Sequence, residues 1–206
     1  MSDKIKKLKY NANSLNLLLV EDEIKALDEL RDILVNLFNK VDIASNGEMG
    51  LSEYLKYFDK TKLYYDIVIT DIKMPKMDGF EFSRNILSHN PNQIIIVISA
   101  TDSFDEIIDL INIGINYFIQ KPFTKKDMAD VLLKATKVAN QDRLLEKKNG
   151  ELNRLNLNLK SKVKEQTVSL EKQLYYDILT GLPKRNKLME DMKTYNKIGI
   201  LLNRYK

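Results

Sequence analysis

The chain alternates short apolar runs with longer segments whose apolar residues recur at every third or fourth position. Short apolar runs bounded by turn residues predict buried strands, and the wider spacing predicts amphipathic helices. Each run leads into a helical segment across a short connection, and no hairpin signal joins neighbouring runs. This order predicts a parallel sheet with helices on both faces. The five predicted strands are residues 15–20, 41–44, 66–71, 94–98 and 117–119.

Residues 139–174 have a different pattern, because they are polar, free of proline and marked by spaced leucines. Seven of these residues form a stripe, or seam, along the predicted helix. The first four fit the a/d spacing of a coiled coil, and the last three continue that spacing after a phase shift of four residues, which is called a stutter. We expect a long helix that pairs as a coiled coil, because an isolated helix with so narrow a stripe needs a partner. A flexible polar linker is the alternative. The seam positions are Leu145, Leu152, Leu155, Leu159, Val163, Gln166 and Leu170.

Composition narrows the class of protein. The chain contains no Cys, which excludes a disulfide framework and a Cys-based metal site and fits a reducing compartment. No apolar run reaches the ~18 residues of a membrane span, and the Lys-rich N-terminus lacks the apolar segment of a secretory signal. We therefore expect a cytoplasmic protein without a membrane partner.

Charge is distributed unevenly along the chain. Residues 140–206 carry 15 basic and eight acidic side chains, whereas residues 1–139 carry 18 and 21. A basic segment could bind nucleic acid, but here acids and bases interleave on a helical pattern without a helix-turn-helix signal. We interpret the excess as a solvated helix surface and do not expect nucleic acid as a partner.

Polar residues follow four of the predicted strands: Glu21 and Asp22, Asp71, Ser99, and Lys121. Because the carboxyl ends of parallel strands share one edge of a sheet, these side chains would meet there. Clustered carboxylates need a cation, and a hard, oxygen-ligated ion such as Mg²⁺ (or Mn²⁺) suits them. Together with an ammonium and a hydroxyl group, they are suited to phosphoryl transfer onto Asp71. Taken singly, each residue could instead be a helix cap, a turn residue or a surface charge.

Sequence motifs accompany these strand ends in a fixed order. They are Leu18-Leu19-Val20-Glu21-Asp22, Asp71 with Met74-Pro75 and Asp78-Gly79, Ser99-Ala100, and Lys121-Pro122-Phe123. Together they resemble the receiver domain of two-component response regulators, over residues 15–138. The resemblance implies a doubly wound, flavodoxin-like fold of strand order 2-1-3-4-5. It also implies that Asp71 accepts a phosphoryl group from a sensor histidine kinase or a phosphotransfer protein.

The same resemblance assigns roles to the residues around Asp71. Mg²⁺ would be bound by Asp22, Asp71 and the backbone carbonyl of Lys73, with Glu21 nearby through water. Lys121 would bind the phosphoryl group. Two further residues match the family's switch positions, the hydroxyl-bearing Ser99 and the aromatic Phe118. Phe118 departs from the commoner Tyr, so this switch would respond to packing alone.

A second resemblance lies beyond the predicted coil. Residues 177–186 read Asp-Ile-Leu-Thr-Gly-Leu-Pro-Lys-Arg-Asn and resemble the opening of a diguanylate cyclase (GGDEF) domain, apart from Lys184, where that family prefers Asn. Residues 198–206 would then be its first strand, although Leu201 and Asn203 stand where the family carries Asp. No GGDEF signature loop follows, so we expect no cyclic di-GMP synthesis by residues 1–206; the output domain either continues beyond Lys206 or is degenerate. A plain turn between two helices is the alternative.

These observations predict four segments: a polar N-terminal extension (1–14), a receiver domain (15–138), a helical coiled-coil linker (139–174) and an incomplete GGDEF-like domain (175–206). We hypothesise a response regulator that passes its signal through the linker to the output domain. We expect a homodimer, formed by the coil and by the face of the fourth helix, fifth strand and fifth helix. The only expected catalysis is phosphorylation and dephosphorylation of the receiver itself. Alternatives are a non-catalytic scaffold, a DNA-binding regulator, or an aspartyl-phosphate phosphatase, which would need an acid where Lys73 stands.

Overall fold

The computed structural model describes residues 3–100, 104–115, 117–177 and 179–203. The chain forms two compact units, Met1–Leu145 and Glu146–Lys206. The first unit contains a five-stranded sheet and the helices that cover it. The second contains the end of one long helix, a turn and a final helix.

The sheet has the predicted topology. All neighbouring strands are parallel, in the order β2-β1-β3-β4-β5. This confirms the doubly wound, flavodoxin-like fold, and it places the carboxyl ends of all five strands along one edge. The strands are β1 (Asn16–Val20), β2 (Lys40–Ala44), β3 (Ile67–Asp71), β4 (Ile94–Ser99) and β5 (Tyr117–Gln120).

Helices follow each strand, as the apolar spacing predicted. Two of them begin at an Asn or Asp side chain that accepts a hydrogen bond from the first turn: Asn46 from the Met49 N–H at 3.0 Å and Asp78 from the Glu81 N–H at 2.8 Å. Such caps satisfy N–H groups that have no partner within the helix. The helices are α1 (Asp3–Ala12), α2 (Ile24–Leu34), α3 (Gly47–Thr61), α4 (Gly79–His89), α5 (Phe104–Asn112), α6 (Lys125–Tyr175) and α7 (Arg185–Asn203).

Successive residues of each strand point into two different cores, because side chains alternate across a sheet. On β1, Leu17 and Leu19 join a core formed with α1, α2 and α6, whereas Leu18 and Val20 join a core formed with α3, α4 and α5. Both faces of the sheet are therefore covered. This explains why the strands are continuously apolar rather than alternately polar.

The N-terminal extension is more than a polar segment. Its residues form α1, and Leu8 and Ala12 are buried in the core beside α2 and α6. The side chain of Asn140 donates a hydrogen bond to the carbonyl of Asn11 at 2.8 Å, and Lys4 pairs with Asp130. The segment does carry a short apolar stripe at Ile5, Leu8 and Ala12. Three positions among four lysines are too short a stripe to predict this packing from the sequence.

The long C-terminal helix is confirmed, and a flexible linker is excluded for this segment. α6 is 51 residues long and contributes to both units. It begins with a reciprocal cap, in which the Thr124 N–H donates to Asp127 Oδ2 at 2.9 Å and the Asp127 N–H donates to Thr124 Oγ1 at 3.2 Å. Whether α6 pairs with another helix stays a prediction.

The strand predicted over residues 198–206 is wrong where the structure describes it. Residues 198–203 belong to α7, and residues 204–206 lie outside the described part. An isolated strand leaves its backbone groups unpaired, whereas a helix satisfies them locally. In the described residues of the second unit, the only β-type pairing is one bridge between Tyr176 and Pro183. None of the helices described here is both long enough and apolar enough to cross a bilayer.

Candidate functional site

Three charged side chains from different strands meet at the carboxyl edge of the sheet. Glu21 follows β1, Asp71 ends β3 and Lys121 follows β5. The ammonium Nζ of Lys121 lies 2.6 Å from Asp71 Oδ2 and 3.1 Å from Glu21 Oε2. These residues are 50 and 100 positions apart in the chain, so only the parallel sheet brings them together. The expected convergence of Glu21, Asp71 and Lys121 is therefore observed.

Burial sets the electrostatics of this group. Glu21 is only 2% exposed, and its burial raises the pKa of the carboxyl group against the opposing effect of Lys121. Burial also tends to lower the pKa of Lys121, but its hydrogen bonds to Asp71 and Glu21 outweigh this and leave that pKa raised. The ammonium therefore stays charged across the neutral range. It compensates a carboxylate that would be costly to bury alone.

The loop after Asp71 is held by backbone contacts. Asp71 Oδ1 accepts a hydrogen bond from the Lys73 N–H at 3.1 Å, and the Gly79 N–H donates to the Ile72 carbonyl at 2.8 Å. A Cβ at Gly79 would lie 2.1 Å from the carbonyl oxygen of Asp71. Only glycine fits at this close approach.

Sequence reasoning missed the contribution of Gly47 to this loop. A Cβ there would lie 2.6 Å from the carbonyl oxygen of Met77, and the Gly47 N–H donates to that same oxygen at 3.3 Å. The start of α3 therefore packs directly on the loop that follows Asp71. An Asn-Gly pair such as Asn46-Gly47 is typical of a turn, but a contact 30 positions along the chain leaves no local pattern.

The two predicted switch residues lie on neighbouring strands, Ser99 at the end of β4 and Phe118 within β5. Ser99 is buried at the end of β4, and its carbonyl accepts a hydrogen bond from the Lys121 N–H at 2.7 Å. Phe118 on β5 is partly buried against the core beside α3, α4 and α5. Residues 101–103, which follow Ser99, lie outside the described part of the chain. The switching roles of Ser99 and Phe118 stay predictions.

The metal site is assembled only in part. Glu21 and Asp71 supply the hard oxygen donors that Mg²⁺ prefers, but Asp22 is exposed to solvent. Over the ranges that the structure covers, no group of three or more acidic or His side chains is arranged to hold a metal ion. The two converging carboxylates are bridged by Lys121 instead. The donor chemistry fits a divalent cation, and the ligand set with Asp22 and the Lys73 carbonyl remains a prediction.

Sequence comparisons place the fold and this strand edge in a known family. Residues 17–133 match the family described as the response regulator receiver domain. The chain is 33% identical to the chemotaxis protein CheY of Listeria monocytogenes over 123 residues, 60% of this chain and 99% of that protein. It is 30% identical to the response regulator ArlR of Staphylococcus aureus over 112 residues, 54% of this chain and 48% of ArlR.

Solved structures show the same architecture. One is the CheY of Borrelia burgdorferi in a complex with CheX, BeF3 and Mg²⁺, at 28% identity and a TM-score of 0.56, covering 62% of this chain and 96% of that one. Another is a response regulator receiver domain from Clostridium thermocellum, at 28% identity and a TM-score of 0.54, covering 64% and 98%. The family match spans more than half of the chain and contains Glu21, Asp71 and Lys121. The chain therefore belongs to the two-component response regulators and carries their receiver domain.

Proposed function

We propose that Asp71 is the phosphoacceptor of this receiver. The observation that carries the proposal is the contact of Asp71 with the Lys121 ammonium, beside the buried Glu21, at the carboxyl edge of the sheet. A carboxylate oxygen of Asp71 would attack the phosphorus of a phosphohistidine, and the bond from phosphorus to the imidazole nitrogen would break. Lys121 would neutralise phosphoryl charge, which is the main task of a protein in phosphoryl transfer.

The buried Ser99 would stabilise phosphorylated Asp71, the product of this reaction. Its position at the end of β4 puts it on the same strand edge as Asp71, whose strand β3 pairs directly with β4. We expect its hydroxyl group to donate a hydrogen bond to the attached phosphoryl group. Phe118, on the next strand along, would then repack against the core beside α5.

The same proposal includes a divalent cation. The oxygen donors predicted for this ion are Glu21, Asp22, Asp71 and the carbonyl oxygen of Lys73, and the CheY of Borrelia burgdorferi was solved with Mg²⁺. When bound, such an ion supplies positive charge that balances the phosphoryl oxygens. The residues of this chain would hold the ion, orient Asp71 and keep Lys121 charged.

The phosphoryl donor would be a histidine kinase or a phosphotransfer protein. The test uses a small donor, so that it does not depend on which partner is correct. The full chain is incubated with acetyl phosphate and Mg²⁺ and then weighed intact. We expect one phosphoryl adduct that hydroxylamine removes.

The matched control is Asp71→Asn, which keeps the size of the side chain and removes the nucleophile. This variant should gain no adduct, and Asp78→Asn, on the same loop, should gain as much as the wild type. Labelling of Asp71→Asn, or no adduct on the wild type, would contradict the proposal. Omitting Mg²⁺ should abolish labelling if the cation is required.

We also propose that the phosphorylation signal leaves the receiver through the face formed by α5, β5 and α6. Because α1 precedes the first strand, α5 and α6 correspond to the fourth and fifth helices predicted from the sequence. This is the face that the sequence predicted as a dimer contact. Supporting this route, Ile108 and Ile111 on α5 are exposed large apolar side chains, and α6 continues from the receiver into the linker. Cross-linking across α5 with and without acetyl phosphate tests it. Identical cross-linking in both states would count against this face.

The proposed output is a GGDEF-like domain, supported by the form of the turn after α6. Asp177 Oδ1 accepts hydrogen bonds from the Leu179 and Thr180 N–H groups at 3.1 and 2.9 Å, and Gly181 has a φ of +68°. The same contacts fit a plain turn between two helices, and Ile178 lies outside the described residues. Incubation of residues 1–206 with GTP should yield no cyclic di-GMP. Extending the clone along its reading frame would decide whether a cyclase follows.

A further inference from the structure

The exposed seam of α6 repeats every 11 residues. Its positions are separated by three, four, four, three, four and four residues, so the four-residue shift recurs rather than occurring once. The six apolar members are each between 51% and 60% exposed, with no covering partner in the described part of the chain. Together with Gln166, which is also exposed, they form the linker seam: Leu152, Leu155, Leu159, Val163, Gln166, Leu170 and Leu174.

An 11-residue repeat determines the shape that a partner must have. Eleven residues in three turns give about 3.67 residues per turn, slightly more than the 3.6 of a free helix. Such a stripe runs almost straight along α6, whereas a seven-residue repeat would impose a left-handed supercoil. The linker seam therefore fits a helix with the same repeat, paired along its whole length.

We infer that the linker seam binds a second copy of this chain as a parallel, in-register helix pair in which each Gln166 meets its counterpart. In this arrangement every leucine faces a leucine, and the two amide groups can donate to and accept from each other. An antiparallel pair centred on Val163 would instead place Gln166 against Leu159. A buried amide facing an alkyl group loses its hydrogen bonds, which is more costly than a pair of matched amides. An antiparallel pair centred on Gln166 would match the two amides but leave Leu152 and Leu155 unpaired, because α6 ends at Tyr175.

The positions that flank the linker seam are mixed in character. Asn156, Thr167 and Gln173 are uncharged, whereas Lys160, Lys162 and Glu171 are charged. Gln166 is the one polar residue within the linker seam itself, so we assign direction and register to it. This inference deepens the proposed route from receiver to output, but it does not require phosphorylation of Asp71.

Orientation can be tested directly because the chain has no Cys. Single-Cys versions of the full chain, Leu152→Cys and Leu174→Cys, are oxidised separately and as a mixture. A parallel, in-register pair forms a disulfide-linked dimer in each separate sample. An antiparallel pair forms the 152-to-174 product in the mixture and little in either sample alone, and that result would overturn the inference.

Leu155 and Leu157 provide a matched pair for the seam itself. Both are exposed leucines, at 56% and 68%, but Leu157 lies on the opposite side of the helix from the linker seam. Leu155→Asn should raise the dimer dissociation constant about tenfold or more, because both copies lose a buried side chain. Leu157→Asn should change it less than about twofold. Sedimentation equilibrium measures both, and equal effects would contradict the seam.

Gln166→Leu tests the role of the amide. We expect a tighter dimer that has lost its preference of direction, so that 152-to-174 cross-links appear in the mixture. Retention of purely parallel cross-links would show that Gln166 does not select orientation. A chain that stays monomeric with and without acetyl phosphate and Mg²⁺ would overturn the whole inference, while phosphorylation of Asp71, read by mass, would still stand.

Discussion

Lys121 bridges a buried and a partly exposed carboxylate, so its removal should affect both stability and chemistry. Lys121→Met leaves Glu21, only 2% exposed, without its charged partner. Because an uncompensated buried charge is costly, we expect the free energy of unfolding to fall by about 1–3 kcal/mol at neutral pH. Urea denaturation followed by circular dichroism measures the loss.

A double-mutant cycle isolates the contact. If Glu21→Gln is added to Lys121→Met, the carboxylate that lost its partner is gone, and much of the stability should return. Additive effects of the two changes would show that the Lys121–Glu21 contact contributes little. Phosphoryl labelling should stay low in both variants, because Lys121 is absent from each.

Gly79 and Gly150 offer a contrast between a crowded and an open position. A Cβ at Gly79 would lie 2.1 Å from the Asp71 carbonyl oxygen, whereas a Cβ at Gly150 would meet nothing within 4 Å. Gly79→Ala should therefore destabilise the receiver by about 1–3 kcal/mol and slow labelling of Asp71. Gly150→Ala should stabilise α6 by about 0.5–1 kcal/mol, because alanine is the better helix former. Thermal denaturation measures both effects. Midpoint temperatures that both rise or both fall in Gly79→Ala and Gly150→Ala would contradict the predicted contrast.

At the scale of elements, α6 is tied to the opposite edge of the sheet by one side chain. Arg143 Nη2 lies 2.7 Å from Asp66 Oδ2, and Arg143 Nη1 donates to the Ser14 carbonyl at 2.6 Å. The same Asp66 oxygen accepts the Asn16 N–H at 2.7 Å. Arg143 thus links α6 to the starts of β1 and β3. It lies ten residues beyond the family match, which ends at residue 133.

Arg143→Ala should loosen this attachment. Burial raises the pKa of Asp66, and the Asn16 N–H and Arg143 oppose that rise. A carboxyl whose folded pKa is raised favours folding at low pH and loses that contribution as pH rises through the folded pKa. Without Arg143 the folded pKa rises further, so the destabilisation should be about 1–3 kcal/mol at neutral pH and smaller in acid.

Hydrogen exchange measures the local effect of Arg143→Ala. Amides near residue 143 should exchange faster than in the wild type, because α6 is no longer held there. Arg154→Ala is the control, since Arg154 is exposed on the same helix and should leave those amides unchanged. Equal stability of Arg143→Ala and wild type across the pH range would refute the attachment.

At the scale of the whole molecule, the first unit contains both cores and the candidate site. We expect residues 1–145 alone to unfold in a single transition and to accept a phosphoryl group as the full chain does. Deleting residues 1–13 from that fragment should lower its midpoint in urea, because Leu8 and Ala12 leave the core beside α2 and α6. An unchanged midpoint after the deletion would show that α1 adds no stability.

Local patterns determined the architecture. The apolar runs and the helical spacing are properties of neighbouring residues, so they predicted the five strands, the helices that follow them and the long α6. The rule that parallel strands end at one edge then predicted that Glu21, Asp71 and Lys121 would meet. Locality also explains the error at residues 198–203. The apolar run there suited a strand, but the described residues of the second unit supply no strand to pair with it, and it forms part of α7.

Long-range packing decided the rest. The sequence by itself determined that the sheet is parallel and which residues lie at its carboxyl edge, because periodicity and strand ends are written in consecutive residues. The strand order 2-1-3-4-5 was predicted from the resemblance to receiver domains and confirmed by the structure. Only the tertiary structure decided that Lys121 bridges Glu21 and Asp71, that α1 enters a core, and that Arg143 attaches α6 to Asp66. These contacts join residues 50 to 129 positions apart. They depend on the spacing of whole elements, which no local pattern of residues encodes.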